Sequence, residues 1–326
     1  MAKPRVYVTR PIPQIGLDLL AEKCEVEVNP HDRPLTREEF LSAIAGRDGV
    51  LCLLTDKINA EAFDAASGAK GFANYAVGYD NMDVAEATKR GIPLSNTPGV
   101  LTEATADMAW ALLFAVARRV VESDAVMRSG KWPGWGPMQF IGGDIQGTTL
   151  GIVGAGRIGA AMARKSTGFR MKILYTDAQP NPSFESELGA EFVSFDELIT
   201  RSDYVSVHVP LTPQTRHMFT YDTFRKMKPT AYLINTARGP IVAEDDLVRA
   251  LNEKLIAGAG LDVYENEPRM AAGLAALSNV VITPHTASAT VSSRNGMAVK
   301  AATNLIAMVS GQRAPDCLNP TIYENS

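Results

Sequence analysis

The stretch Thr149–Gly159 reads TLGIVGAGRIG, and the architecture follows from it. Leu150, Ile152 and Val153 form a short apolar run of strand type that breaks into Gly154, Gly156 and Gly159 at the spacing G-x-G-x-x-G. A helical pattern, AAMARKSTGF, follows directly. The three glycines serve separate ends: Gly154 permits a tight turn, Gly156 lets backbone N–H groups approach a pyrophosphate, and Gly159 lets the helix pack close to the strand. The helix N-terminus then turns its positive end to the phosphates, and Ala155, Arg157 and Ile158 belong to the same expected contact. A glycine turn alone is common, so its partner matters. The next strand, MKILYT, ends in Asp177, where an acid accepts hydrogen bonds from an adenosine ribose. The same charge repels a 2′-phosphate, and Ala178 cannot clamp one, so NADH is expected over NADPH.

Beyond this stretch, 326 residues suggest two domains of roughly 150 residues each. From residue 5 strand-like and helix-like runs alternate: RVYVT, IGLDLLAEK, CEVEV, REEFLSAIAG, GVLCLLT, AEAFDAAS, KGFANYA, DVAEATKRG and IPLSN. This rhythm predicts a parallel sheet covered by helices on both faces, here without a glycine fingerprint. After the glycine unit the rhythm resumes with FDELITRS, DYVSVHVP, YDTFRKM, TAYLINTARG, AEDDLVRALNE, LIAGAGLDVYE and NVVITPH. The fold class expected is therefore α/β, with two doubly wound, Rossmann-like parallel-sheet domains. The later runs end in His208–Pro210, Asn235–Gly239, Asp262–Pro268 and His285, which should converge beyond the carboxyl ends of the strands. A final helix is expected over Arg294–Val309, carrying the chain back toward the first domain.

Between the two halves, NTPG at Asn96–Gly99 breaks the pattern, and Thr102, Glu103 and Asp107 predict the start of a long helix running to about Met127. Its middle, MAWALLFAVA, is apolar all round and predicts burial on every side. The Gly-rich segment SGKWPGWGPMQFIGGDIQG follows, with Trp132, Trp135 and Phe140 and no regular period. It reads equally as a surface loop or as an arm packed on a second subunit.

Charge and cysteines narrow the function. The net charge of −4 and pI near 5.7, with Lys and Arg spread along the chain, give no case for nucleic acid or a membrane surface and point to a small-molecule ligand. Cys24, Cys52 and Cys317 are far apart and odd in number, which argues against disulfides and a zinc site; no metal is expected. The N-terminus MAKPRVYVTR has no apolar signal core, Met108–Ala117 is too short to span a bilayer, and TIYENS is no peroxisomal tripeptide, so a cytoplasmic protein is expected.

Of four histidines, His31 and His217 lie in polar loops and read as solvated, His208 sits in the packed run VSVHVP, and His285 stands in the open segment TPHTASAT. His285 is the favoured acid–base group. Arg238, after the strand LINTARG, needs a carboxylate or phosphate partner. Glu265 and Glu267 flank Asn266, and whichever lies near His285 would orient its ring and favour its protonated form.

AVGYDNMDVAEATKRGI, SNTPGVLTEATADMAWALLFAVARR, GIVGAGRIG, LINTARG, AGLDVYENEP and TPHTASAT, in this order over nearly the whole chain, resemble the motifs of the D-2-hydroxyacid dehydrogenases, and among them the glyoxylate/hydroxypyruvate reductases. The resemblance implies a discontinuous, flavodoxin-like substrate domain of residues 1–100 and 289–326 and an NAD-binding domain of residues 101–288. It implies Arg238 as the carboxylate-binding arginine, Glu267 as the acid paired with histidine and His285 as the proton donor. Thr105, Val209, Pro210, Thr236, Ala237, Arg238, Asp262, His285 and Ala287 join the glycine turn and Asp177 as cofactor contacts. Val77 and Gly78 supply backbone to the substrate, beside Arg238 and His285. The Trp132–Trp135 loop resembles one that reaches a neighbouring subunit's pocket, which implies a homodimer and a substrate contact from Trp135. The activity implied is reduction by NADH of small 2-keto acids, glyoxylate to glycolate and hydroxypyruvate to D-glycerate. Two alternatives stand beside it: another dehydrogenase of this fold, for 3-phosphoglycerate, and an NAD-sensing corepressor. His285 is followed by Thr286 and Ala287 where the family usually shows an aliphatic residue and then glycine or alanine, so the departure lies at Thr286.

Overall fold

In the computed structural model, which describes residues 2–324, the chain runs through β1 (Arg5–Val8), α1 (Gln14–Lys23), β2 (Glu25–Val28), α2 (Arg37–Ile44), β3 (Gly49–Cys52), α3 (Ala60–Ala65), β4 (Phe72–Asn74), α4 (Val84–Lys89) and β5 (Leu94–Ser95). It continues with α5 (Thr102–Ala117), α6 (Val120–Arg128), β6 (Thr149–Val153), α7 (Arg157–Lys165), β7 (Lys172–Thr176), α8 (Pro182–Leu188), β8 (Glu191–Phe192), α9 (Phe195–Arg201) and β9 (Tyr204–Val207). The remainder is α10 (Tyr221–Lys226), β10 (Tyr232–Asn235), α11 (Glu244–Asn252), β11 (Gly258–Leu261), β12 (Val280–Ile282) and α12 (Val291–Val309). Two compact units result, Met1–Leu101 with Ala289–Ser326, and Thr102–Ser288.

The first unit is a five-stranded parallel sheet of order β2-β1-β3-β4-β5. Val6–Val8 of β1 and all of β3 are apolar and buried, the mark of strands covered on both faces. The last helix closes this unit from the far end of the sequence. Glycines let it come close: a Cβ on Gly16 of α1 would stand 2.8 Å from that of Ala298, one on Gly49 2.7 Å from Val309, and one on Gly71 2.5 Å from the Met308 sulfur. Tyr75 adds a hydrogen bond from its hydroxyl to the Arg294 carbonyl at 2.8 Å. The helix starts at Val291, capped by Thr290, three residues earlier than the apolar pattern suggests.

The second unit is a seven-stranded parallel sheet of order β12-β11-β10-β9-β6-β7-β8. The order reverses between β6 and β9, which makes the gap beyond their carboxyl ends the natural ligand crevice. Periodicity in the sequence does not reveal α8 and β8, a short helix capped by Asn181 and a two-residue edge strand.

Two expectations for the segment after Leu101 are corrected. The long helix breaks: Arg119 takes a left-handed conformation, φ 52°, between α5 and α6, and its guanidinium turns to Glu122 at 2.7 Å. Nor is α5 buried on every side. Trp110, Leu113 and Val116 face the core, while Asp107 and Ala111 are exposed, and Asp107 pairs with Lys165 together with Glu103. Alanine counts as apolar in a pattern, yet it tolerates water at little cost. No helix among the described residues is long and apolar enough to cross a membrane.

Candidate active site

The glycine turn is built as its spacing demands. Gly154 has φ 98°, and a Cβ there would lie 2.8 Å from the Val209 nitrogen and 2.9 Å from the His208 carbonyl carbon. The turn after β6 therefore lies flat against the segment after β9. A Cβ on Gly159 would stand 2.0 Å from the Gly154 oxygen, so α7 is seated directly on the turn. Gly156 is different. Its φ of −72° suits any residue and nothing lies within 4 Å of a Cβ placed on it. Neither backbone nor packing asks for glycine there, whereas a bound pyrophosphate would.

Of the other expected cofactor residues of the second unit, Asp177 is bonded to the turn itself. The Ala155 N–H donates to Asp177 Oδ2 at 2.8 Å, and the Ala178 N–H to Oδ1 at 2.7 Å, so the exposed carboxylate is held against the turn. Arg157 is exposed at the start of α7 and Ile158 half-buried. Val209 is half-buried and Pro210 exposed after β9, and Thr105 is buried on α5. Thr236 is buried with no partner for its hydroxyl, and the Ala237 N–H donates to Asn235 Oδ1 at 3.0 Å. An open glycine, an acid fixed beside it and an orphaned hydroxyl fit a dinucleotide.

The chemistry gathers beyond β10, β11 and β12. Asn235 shapes the turn that carries Arg238, donating from its side-chain amide to the Arg238 carbonyl at 3.0 Å. A Cβ on Gly239 would stand 1.9 Å from the Tyr264 carbonyl, so this turn presses on the segment that bears Glu267. Glu267 Oε1 accepts the Tyr264 N–H at 3.1 Å, and Oε2 meets His285 Nδ1 at 2.9 Å. Partial burial pushes the Glu267 carboxyl up, but the bond and charge of His285, the Tyr264 N–H and the Arg238 guanidinium together hold it below the usual range. Glu267 is thus an anion at neutral pH, about a third exposed.

His285 itself has φ 53°, and Asp262 braces the residues around it. That fully buried carboxylate accepts from the Thr283 hydroxyl at 2.6 Å, the Thr286 N–H at 2.8 Å and the Ala287 N–H at 2.7 Å. The Tyr264 hydroxyl donates to the Thr283 carbonyl at 2.8 Å. Thr283 and Tyr264 lie inside the motifs TPHTASAT and AGLDVYENEP, but nothing in the sequence marks their hydroxyls as braces of the site.

The other histidines separate from His285 on physical grounds. His208 Nε2 lies 2.8 Å from the Ser206 hydroxyl, and burial lowers its pKa to about 3, which makes it a poor proton carrier near neutrality. His31 is exposed, as expected. His217 is not simply solvated: its Nε2 lies 2.5 Å from Glu265 Oε1. No group of three or more His, Cys, Asp or Glu among the described residues is arranged to hold a metal.

In the first unit, Val77 and Gly78 lie in a short loop after β4. Three successive carbonyls, of Ala76, Val77 and Gly78, accept from the Thr97 N–H at 2.9 Å, Asn96 Nδ2 at 2.7 Å and Asn74 Nδ2 at 2.9 Å. A trans peptide points its N–H opposite to its C=O. Each of the N–H groups of Val77, Gly78 and Tyr79 therefore points away from the donor that its own peptide carbonyl accepts from.

The arm of the second unit divides into a fixed root and an open tip. Gly142 and Gly143 sit against the end of α5, where the Gly143 N–H donates to the Ala117 carbonyl at 2.9 Å. Toward the tip, Trp135 is 83% and Met138 78% exposed, Trp132 is also exposed, and α6 has no buried residue.

Residues 110–287 match the family described as D-isomer specific 2-hydroxyacid dehydrogenase, NAD binding domain. A glyoxylate reductase of Thermococcus onnurineus is 50% identical over 321 residues, 97% of this chain and 96% of that protein. A crystal structure of a Thermus thermophilus protein superposes with a TM-score of 0.90 at 44% identity, covering 96% of this chain and 99% of that one. That of an NADPH-dependent glyoxylate/hydroxypyruvate reductase of Sinorhizobium meliloti, in complex with NADP and malonate, gives 0.85 at 34%, covering 98% of each. With this likeness over nearly its full length, the chain belongs to the D-isomer specific 2-hydroxyacid dehydrogenases and is an NAD(P)-dependent oxidoreductase.

Proposed function

We propose that this protein reduces small 2-keto acids, glyoxylate and hydroxypyruvate first, with NADH as the preferred cofactor. The observation that carries the reading is the Glu267–His285 pair with Arg238 beside it, beyond the strand ends of the unit that holds the glycine turn. The reduced nicotinamide, when bound, supplies a hydride to the carbonyl carbon. His285 gives a proton to the carbonyl oxygen, and the anionic Glu267 on Nδ1 stabilises the imidazolium and fixes its ring. Arg238 holds the substrate carboxylate and polarises the carbonyl, combining positioning with stabilisation of the developing alkoxide. The amides of Val77 and Gly78 contribute to carboxylate binding. Thr105, Val209, Pro210, Thr236, Ala237, Asp262 and Ala287 contact the cofactor with the glycine turn, and Asp177 selects NADH by repelling a 2′-phosphate. The location expected is the cytoplasm.

The test is oxidation of NADH and of NADPH by purified protein against glyoxylate, hydroxypyruvate, pyruvate and 3-phosphohydroxypyruvate. Glyoxylate and hydroxypyruvate should lead, with kcat/KM for NADH above that for NADPH on the order of 10²-fold. Leadership by the phosphorylated substrate would move the assignment to a phosphoglycerate dehydrogenase, and absence of turnover with all four to a cofactor-sensing protein.

We further propose a homodimer in which the arm packs on a second copy and Trp135 reaches its substrate pocket. Exposed tryptophans of this kind are typical interface anchors. Sedimentation of a Trp132→Ala/Trp135→Ala double variant should report weakened association and a raised KM for the keto acid; an unchanged dimer with unchanged KM returns the arm to a surface loop.

A further inference from the structure

We propose that Glu244 is a positioning residue for the catalytic pair: its buried carboxylate holds the loop that carries Glu267 where it meets His285. The proposal rests on the reading of Glu267 and His285 given above. Glu244 is the first residue of α11 and only 5% exposed, an unusual place for a carboxylate unless its oxygens are bonded. Both are. Oε2 accepts the Glu265 N–H at 2.6 Å and Oε1 the Ala271 N–H at 2.6 Å. The Glu244 N–H in turn donates to Glu265 Oε2 at 3.0 Å.

These bonds grip the loop two residues before Glu267 and four residues after it. Between the two grips the chain forms neither helix nor strand, only a tight turn in which the Arg269 N–H donates to the Asn266 carbonyl at 2.9 Å. The path of the loop is therefore set by Glu244 from one side and by the close approach of Gly239 to Tyr264 from the other. Charge-assisted bonds to a buried carboxylate are short and stiff. Letting one go frees the loop to shift by tenths of an ångström, and the 2.9 Å bond between Glu267 and His285 is what would change. Displacements of that kind far from the reacting atoms are felt in turnover.

Glu244→Gln keeps the volume and replaces one accepting oxygen by an amide that cannot accept. We expect kcat for glyoxylate to fall roughly 10- to 100-fold, with KM for NADH within about 2-fold of wild type, because the glycine turn is untouched. The alkaline limb of the kcat profile should move to lower pH, as it should in Glu267→Gln. Asp245→Asn removes the same charge from an exposed neighbour on α11 and should change neither quantity. Should Glu244→Gln be insoluble, Glu244→Asp is read in its place, since the shorter side chain keeps the charge but cannot reach both N–H groups. A folded variant with lowered Tm but wild-type kcat and pH profile overturns the proposal and leaves Glu244 a purely structural acid. If Glu267→Gln itself leaves kcat and profile unchanged, the reading of the pair falls and the brace falls with it; if Glu267→Gln acts and Glu244→Gln does not, the brace alone falls.

Discussion

Two glutamate–histidine pairs stand in the second unit, and their glutamates are separated by a single residue. Glu265 meets His217 at 2.5 Å and Glu267 meets His285 at 2.9 Å. Both histidines have left-handed backbone, φ 50° and 53°, and both carboxyls are held below their usual range, in each case against a desolvation that pushes the other way. The difference lies in which nitrogen is used. His217 is bound through Nε2, which leaves only the nitrogen beside its own backbone. His285 is bound through Nδ1, which leaves Nε2 at the tip of the ring, the arrangement of a proton donor. The surroundings of the two carboxylates are alike in kind, each accepting one backbone N–H and facing one arginine. For Glu265 these are the Glu244 N–H and Arg216, and for Glu267 the Tyr264 N–H and Arg238. A short Glu–His contact is thus a weak sign of chemistry until the free nitrogen is known.

The largest test of this contrast is removal of the two rings. His285→Ala should lower kcat by on the order of 10²- to 10⁴-fold, the usual worth of a positioned acid, whereas His217→Ala should stay within about 3-fold. Comparable losses in steady-state kinetics would erase the distinction. Of intermediate size is Glu267→Gln, which keeps the shape but removes the anion: kcat should fall roughly 10- to 100-fold and the alkaline limb should move to lower pH, because a neutral amide favours the imidazolium less. The smallest effect belongs to Glu265→Gln, read in stability. Its folded carboxyl lies below the ordinary 4.5, so its contribution is full above that value and is lost as pH falls through the lowered folded value. Wild type should therefore melt a few degrees above the variant at pH 7, with the gap closing under acid conditions; a gap that persists at the lowest pH where both fold would mean that shape, not charge, stabilises the pair.

The strands of both sheets other than β8 were legible because most are short apolar runs between turn residues and β2 alternates apolar with polar, and the order of loaded segments followed from strand ends. What the pattern could not carry was local and geometric. The break at Arg119 is invisible where apolar spacing continues on both sides of it. The edge strand β8 is two exposed residues, too short to leave a period. From the residues alone, Glu265 and Glu267 were equivalent, and only the resemblance to ENEP-bearing dehydrogenases separated them. Glu244 is one of three acids at a helix start, and nothing in AEDDLVRALNE says that its side chain turns inward while Asp245 points to water.

The closure of the first unit by α12 has a consequence for how the chain comes to be folded. The residues of the second unit are contiguous, and all of them precede the last helix in the chain. The first unit's sheet is made before the second unit, but the helix that presses on Gly16, Gly49 and Gly71 emerges only after it. Until then the faces of β3, β4 and α1 that receive it are bare apolar surface, the kind of transient exposure that invites association with other chains. Of the two units, the one begun before the other is therefore completed after it, and it is the one in which a chain truncated before α12 would leave its core open.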